Sequence, residues 1–239
     1  MEPLLTVVIP VFNERENLPL VLERVAAAPY DKEVVVVDDR STDGTREWLK
    51  ELSAGKASVP GLEPSRTRIL FHEANAGKGA ALRTGFAGIR GRFVIIQDAD
   101  LEYDPSDYPL LLEPLLKERA DVVFGTRFAG GGAHRVLLFW HSIGNRLVTL
   151  LSNIFTNLNL TDMETGYKAF RREVLERIRI RSDRFGVEPE LTAKCARLKC
   201  RIYEVPISYH GRTYEQGKKL TWKDGLAALL HIIRYRFLD

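Results

Sequence analysis

Asp98, Asp100, Glu102 and Asp104 stand at a spacing of two, directly after the apolar run Phe93 to Ile96. Carboxylates gathered at a strand end repel one another unless each has its own partner or a cation sits among them. If the backbone stays extended, alternate residues share a face and these acids converge. Asp104 has a structural explanation, because an acid followed by proline is the pattern of a helix cap and a first helical position. Asp98 and Asp100 remain, with Glu102 as a third member. Oxygen ligands of this kind suit Mg2+ or Mn2+ held jointly with the oxygens of a diphosphate. A second acidic pair, Asp38 and Asp39, ends another valine-rich run. Carboxylates there can accept hydrogen bonds from nucleobase N–H or ribose hydroxyl groups.

These acids need elements to hold them. Residues 5–11, 33–39 and 93–100 read as strands buried on both faces. Further strands are expected at 68–73, 121–126 and 201–209, and helices at 13–28, 42–52, 79–89 and 110–118. Ser41 or Thr42 is the candidate cap of the second helix, with Asp43-Gly44 as a turn. The alternation predicts an α/β protein, Rossmann-like, with a mostly parallel central sheet flanked by helices. In such sheets ligands bind outside the carboxyl ends of the strands, where the polar clusters lie. At 239 residues the chain is read as one domain, with 1–130 as a nucleotide-binding half and 131–239 as an acceptor-facing half.

Residues 75–85, "NAGKGAALRTG", invite two motif names and satisfy neither. Leu82 occupies the third glycine position of GxGxxG, and Lys78 lacks the flanking residues of a P-loop. What is left is a glycine turn opening a helix. Its amides, with Lys78, could face an anion, or the turn is simply a helix start.

Hydrophobic residues at 45%, charged residues at 28% and a formal net charge of +3 describe an ordinary globular protein and give no reason to expect nucleic acid as a partner. Cys195 and Cys200 fit neither a CxxC motif nor a zinc site and read as free thiols. The acidic start of the chain has no leader pattern, so a cytoplasmic protein is expected. Val136 to Leu160 is the most apolar stretch, but Arg146 and several polar residues interrupt it, so it is not read as a membrane span. Its helical stripe, Leu147, Leu150, Leu151, Ile154, Phe155 and Leu158, has a core reading and a membrane-surface reading. The basic, apolar C-terminal segment has the same two readings, with packing on the sheet the first expectation.

The segments "TVVIPVFNERENL", "EVVVVDDRSTDGT", "NAGKGAALRTG", "QDADLEYDP", "DVVFGTRF" and "METGYKAFRREVL" occur in the order of the signature segments of family-two glycosyltransferases with the type A fold. The chain looks closest to the polyprenyl-phosphate branch, which includes dolichyl-phosphate mannose and glucose synthases, because "GTRF", "EVPISYHGRT" and "GKKL" resemble that branch's acceptor-side motifs. The resemblance implies a nucleotide-sugar pocket lined by Pro10, Phe12, Glu14 and Asp39, with Asp38 and Lys78 beside it. It implies a divalent metal on Asp98, Asp100 and Glu102. Arg127, Arg146, Arg212 and Lys219 match basic positions for a lipid phosphate acceptor. Mannose synthases tend to have Ser before the lysine in "GRTYEQGKKL", and this chain does not.

The implied reaction is an inverting, metal-dependent transfer of a hexose from UDP-glucose or GDP-mannose, with UDP favoured, to undecaprenyl or dolichyl phosphate. Asp98, Asp100 and Arg127 are the expected catalytic groups. A phosphate monoester is already an anionic nucleophile, so no strong base is needed. If the acceptor were instead a saccharide hydroxyl, Asp162 or Glu164 would have to act as base, although helix capping explains Asp162 as well. A nucleotide-sugar-binding module without turnover is the reading from a different class. A lipid acceptor implies work at a membrane surface, at its inner face. Relatives often append transmembrane helices, so a separate membrane protein is a possible partner.

Overall fold

The computed structural model describes residues 2–129, 139–184, 186–211, 230–232 and 234–235. Arg212 and Lys219 lie outside the described residues, as does most of the C-terminal segment. Seven strands form one sheet: β1 (Leu5–Val11), β2 (Lys32–Asp38), β3 (Thr67–Phe71), β4 (Phe93–Ile96), β5 (Val122–Thr126), β6 (Lys168–Arg171) and β7 (Ile202–Pro206). Their order across the sheet is β3-β2-β1-β4-β6-β5-β7. All neighbours run parallel except β6, which is antiparallel to both β4 and β5. The chain winds outward from β1 through β2 to β3, then returns to the other side of β1 with β4. That reversal opens a crevice at the carboxyl ends of β1 and β4.

Strand alternation sends neighbouring side chains to opposite faces, and both faces of this sheet are covered. On one, Val7, Ile9, Val34 and Val36 pack with α1 (Leu18–Ala27) and α4 (Tyr108–Leu116). On the other, Val8, Val35 and Val37 pack with α3 (Lys78–Phe86), and the same layer continues to α7 (Val187–Arg197). Gly85 permits the close seating of α3: a Cβ there would lie 2.4 Å from Val8 Cγ1. The short α6 (Arg172–Glu176) follows β6.

Several expected boundaries move, for local reasons. The first helix begins at Leu18 rather than residue 13, because Asn13 adopts a positive φ of 55° and the loop is tied to the next element. There Glu14 N donates to Thr45 Oγ1, and Arg15 N donates to Asp43. The second helix, α2 (Thr45–Ser53), starts later than residue 42. Its first turn is held by Asp43, which accepts from both the amide and the hydroxyl of Thr45, whereas Ser41 and Thr42 bond to Asn13. Strand β4 stops at Ile96, and Leu101 takes a φ of 62°. The acids at 98–104 therefore sit on a folded turn, not on an extended face. Buried Gln97 closes this turn by donating to Asp98 O and Tyr103 O while accepting from Tyr108 Oη. Asp104 caps the 3-10 turn at Pro105–Asp107 through Ser106 N, as its position before proline predicts.

The last helix to be placed, α5 (Phe139–Thr156), is turned inside out for a surface helix of a globular protein. Its buried residues are Val148, Thr149 and Ser152, while Trp140, Leu147, Leu150 and Ile154 are exposed. Leu151, Phe155 and Leu158 pack against the core, so the single apolar stripe divides into an inner and an outer set.

Candidate active site

A cleft of about 430 Å³ opens where the reversal of strand order predicts. Pro10, Phe12, Glu14 and Asp39 line one end. Asp39, 3% exposed, organises this end by accepting hydrogen bonds from Ala76 N at 2.9 Å and Gly77 N at 2.7 Å, and its Oδ1 meets His72 Nδ1 at 2.7 Å. The loop before α3 is thus fastened to the end of β2. Asp38 does not line the cleft: it is fully buried, ion-paired with Arg46 at 2.9 Å, and accepts from Ser41 N. The two adjacent acids point to opposite sides of the strand end, and only the second reaches the site.

Two of the amides at the start of α3 are already occupied: Gly77 N donates to Asp39 and Ala80 N to Asp183 O. The glycines at this start serve close packing, since a Cβ on Gly79 would lie 2.1 Å from Ser182 O. Lys78 lines the cleft between two carboxylates, 2.8 Å from Asp98 Oδ1 and 3.0 Å from Glu188 Oε1. Burial works against its charge, but Asp98 and Glu188 more than reverse this and hold the ammonium well above the ordinary lysine range.

Asp98, Asp100 and Glu102 all line the same cleft. Glu102 accepts from Tyr209 Oη at 3.0 Å, and Asp100 accepts from Glu102 N at 3.2 Å. Among the described residues no three acidic, histidine or cysteine side chains close around a point as a protein-only metal cage. A hard divalent ion on a diphosphate does not need one: it takes one or two carboxylates and fills its shell with phosphate oxygens and water. The donor set of Asp98 and Asp100 fits that description, with Glu102 held toward Tyr209.

At the other end Arg127 is clamped by Asp162, which accepts from Nε at 2.6 Å and from Nη2 at 2.7 Å. Asp162 has no exposed surface and also takes a hydrogen bond from Asn145 on α5. Its task is to fix the guanidinium; no helix starts there, so the capping explanation falls away. Burial opposes the charge on Arg127, and Asp162 holds it well above the ordinary range regardless. The Tyr209 ring lies 5.1 Å from the guanidinium, and Tyr103 stacks on Tyr167 beneath. Arg146 is exposed on α5 and does not line the cleft.

Glu164 and Glu188 line the same cleft; Glu188 pairs with Lys78, and Glu164 feels the charges of Glu188 and Arg127. Burial first, then the neighbouring Glu188 carboxylate, pushes the Glu164 carboxyl up to about 8. Buried Lys168 lies behind them, donating to Met163 O and Thr165 O, and desolvation brings its ammonium down to about 8. Glu188, Tyr103 and Tyr209 are cleft residues that the sequence reading missed. Glu188 had a detectable signal, as an acid in the first turn of a helix following a glycine. The tyrosines had none, because aromatic residues at those spacings are ordinary core.

The family model described as Glycosyl transferase family 2 matches residues 6–179. The chain is 35% identical over 223 residues to an undecaprenyl-phosphate mannosyltransferase of Micrococcus luteus, covering 88% of this chain and 85% of that protein. It is 33% identical over 212 residues to a polyprenol monophosphomannose synthase of Mycolicibacterium smegmatis, covering 86% and 77%. Among solved structures it resembles glucosyl-3-phosphoglycerate synthase from Mycobacterium tuberculosis, crystallised with Mn2+, UDP-glucose and phosphoglyceric acid. The TM-score is 0.70 at 20% identity, over 99% of this chain and 81% of that one.

Proposed function

We infer that this chain, which belongs to glycosyl transferase family 2, moves a hexose from a nucleotide sugar to a polyprenyl phosphate. It is a glycosyltransferase with the type A fold that its ordered motifs imply. The observation that carries the acceptor reading is the Arg127 clamp. A guanidinium fixed by a buried carboxylate faces the same cleft as the Asp98–Asp100 pair, so a donor diphosphate and an acceptor phosphate can meet there. The names of the two bacterial relatives point to the same acceptor class.

The nucleoside is held at the Pro10, Phe12 and Asp39 end, with the diphosphate at Asp98 and Asp100. A divalent ion bound there supplies neutralisation of the departing nucleoside diphosphate. Lys78 is ready to follow that charge, since it already bridges Asp98 and Glu188. Arg127 orients the acceptor phosphate so that one of its oxygens attacks the sugar C1 while the bond from C1 to the diphosphate oxygen breaks. One displacement inverts C1. The nucleophile is already anionic, so no base is required, and Asp162, fully engaged by Arg127 and Asn145, is not placed to act as one. The donor is a nucleotide hexose, UDP-glucose or GDP-mannose.

The outer face of α5 fits the surface on which such an acceptor resides. Phe139, Trp140, Leu147, Leu150 and Ile154 are each at least half exposed, with Arg146 among them, a composition suited to a headgroup boundary. None of the described helices is long and apolar enough to cross a membrane. The reading therefore places the enzyme on a membrane surface. Labelled UDP- and GDP-hexoses, offered with undecaprenyl phosphate or undecaprenol in detergent, test it. Label entering organic solvent only with the phosphate supports it, and equal transfer to the alcohol, or to a soluble saccharide alone, would refute it.

A further inference from the structure

Among the described residues, two carboxylate oxygens of cleft-lining side chains have no hydrogen-bond partner. Glu164 Oε1 and Glu188 Oε2 are buried and make no hydrogen bond among the described residues. Glu188 is only 6% exposed, and its other oxygen is held by Lys78. A buried carboxylate oxygen left without a donor is costly, so its persistence in a cleft calls for a ligand that supplies one. The position of the pair indicates which ligand group this is. Lys78 joins Glu188 to Asp98, so the pair begins one side chain beyond the diphosphate position, and Arg127, whose charge acts on Glu164, lines the same cleft. Along an extended donor, the group between the diphosphate and the attacking phosphate is the sugar.

We propose that Glu164 and Glu188 form the sugar-reading end of the donor pocket, accepting hydrogen bonds from hexose hydroxyls and rejecting a donor whose sugar carries a carboxylate. This rests on the donor reading given above. Hydroxyl donors satisfy both orphan oxygens. A uronate would bring a carboxylate, which has no hydrogen to offer an orphan oxygen, beside Glu188 in a space where Lys78 is already shared and Lys168 is bonded to Met163 O and Thr165 O, and an anion so placed is disfavoured.

Calorimetric titration in the presence of MnCl2 tests the assignment on wild type, Glu164→Gln and Glu188→Gln, each first checked for a native circular dichroism spectrum. The ligands are UDP, GDP, GDP-mannose and pairs differing only at C6: UDP-glucose with UDP-glucuronate, and UDP-galactose with UDP-galacturonate. The proposal expects wild type to bind a hexose form at least about tenfold more tightly than its uronate. Both variants should keep their affinity for UDP or GDP, lose most of the increment contributed by the hexose, and narrow the hexose-to-uronate ratio. Equal binding of hexose and uronate by wild type, or an unchanged ratio in well-folded variants, overturns it. If no nucleoside diphosphate binds, the donor reading fails and the proposal falls with it. UDP or GDP binding without any sugar dependence overturns the proposal alone.

Discussion

The nucleotide end of the cleft and its middle are built differently. At the β1–β2 end the carboxylates are satisfied: Asp39 gathers two backbone amides and His72, and Asp38 is locked to Arg46 beneath the surface. In the middle, Glu164 and Glu188 each keep an oxygen without a donor among the described residues, and burial first, then Glu188, pushes the Glu164 carboxyl up to about 8. Satisfied groups make a rigid socket that exists before any ligand arrives. Unsatisfied ones store a cost that only a ligand removes. The contrast indicates that the nucleotide end is preformed and that discrimination is concentrated where the sugar enters.

Removing a carboxylate from the diphosphate position should have the largest effect. Asp100→Ala should lower transfer by about 10²–10³-fold or more, with the melting temperature nearly unchanged, because charge on the leaving diphosphate is then poorly neutralised. Near-normal turnover would break the comparison at its centre. Asp162→Asn comes next. Leaving Arg127 buried without its carboxylate should cost about 3–5 kcal/mol of stability and raise the KM for the lipid phosphate more than that for the donor. A loss confined to kcat, with unchanged stability, would return Asp162 to the role of base.

Asp39→Asn sharpens the comparison from the rigid end. Weakening the tie to Ala76 and Gly77 should reduce donor affinity by about tenfold while leaving any preference between sugars intact. Glu164→Gln gives the smallest effect, and it depends on pH. A carboxyl whose folded value lies above that of the unfolded chain favours the folded state at low pH. That contribution is fully present below the ordinary glutamate value of 4.5 and is lost as pH rises through about 8. The variant should therefore melt with wild type near pH 4.5 and above it near pH 8.5, by roughly 2–4 °C for each kcal/mol recovered. An equal difference at both values would show that Glu164 is not held protonated by its surroundings.

The sheet was legible because valine-rich runs such as 33–39 bury both faces and admit little but a strand. β6 was not, since Lys168 and Arg171 in a four-residue run look like surface and only the fold buries the lysine. Asp39, Asp98 and Asp100 could be picked out as acids at strand ends. Separating Asp39 from Asp38 required the strand's facing. Asp98, Asp100 and Glu102 do gather, while Asp104 caps the next turn, and they meet through a turn closed by Gln97 rather than by extended alternation. Glu188 joins the site from a helix 90 positions away from Asp98, through Lys78, a connection that exists only in three dimensions.

The central claim is that donor and phosphate acceptor meet in one cleft and react by a single displacement. The anomeric configuration of the hexosyl phospholipid formed from an α-linked nucleotide hexose, read from its proton and carbon NMR couplings, tests it most directly. The account predicts a β-linked product. An α-linked product would require a covalent sugar intermediate or a different face of attack, and would contradict it.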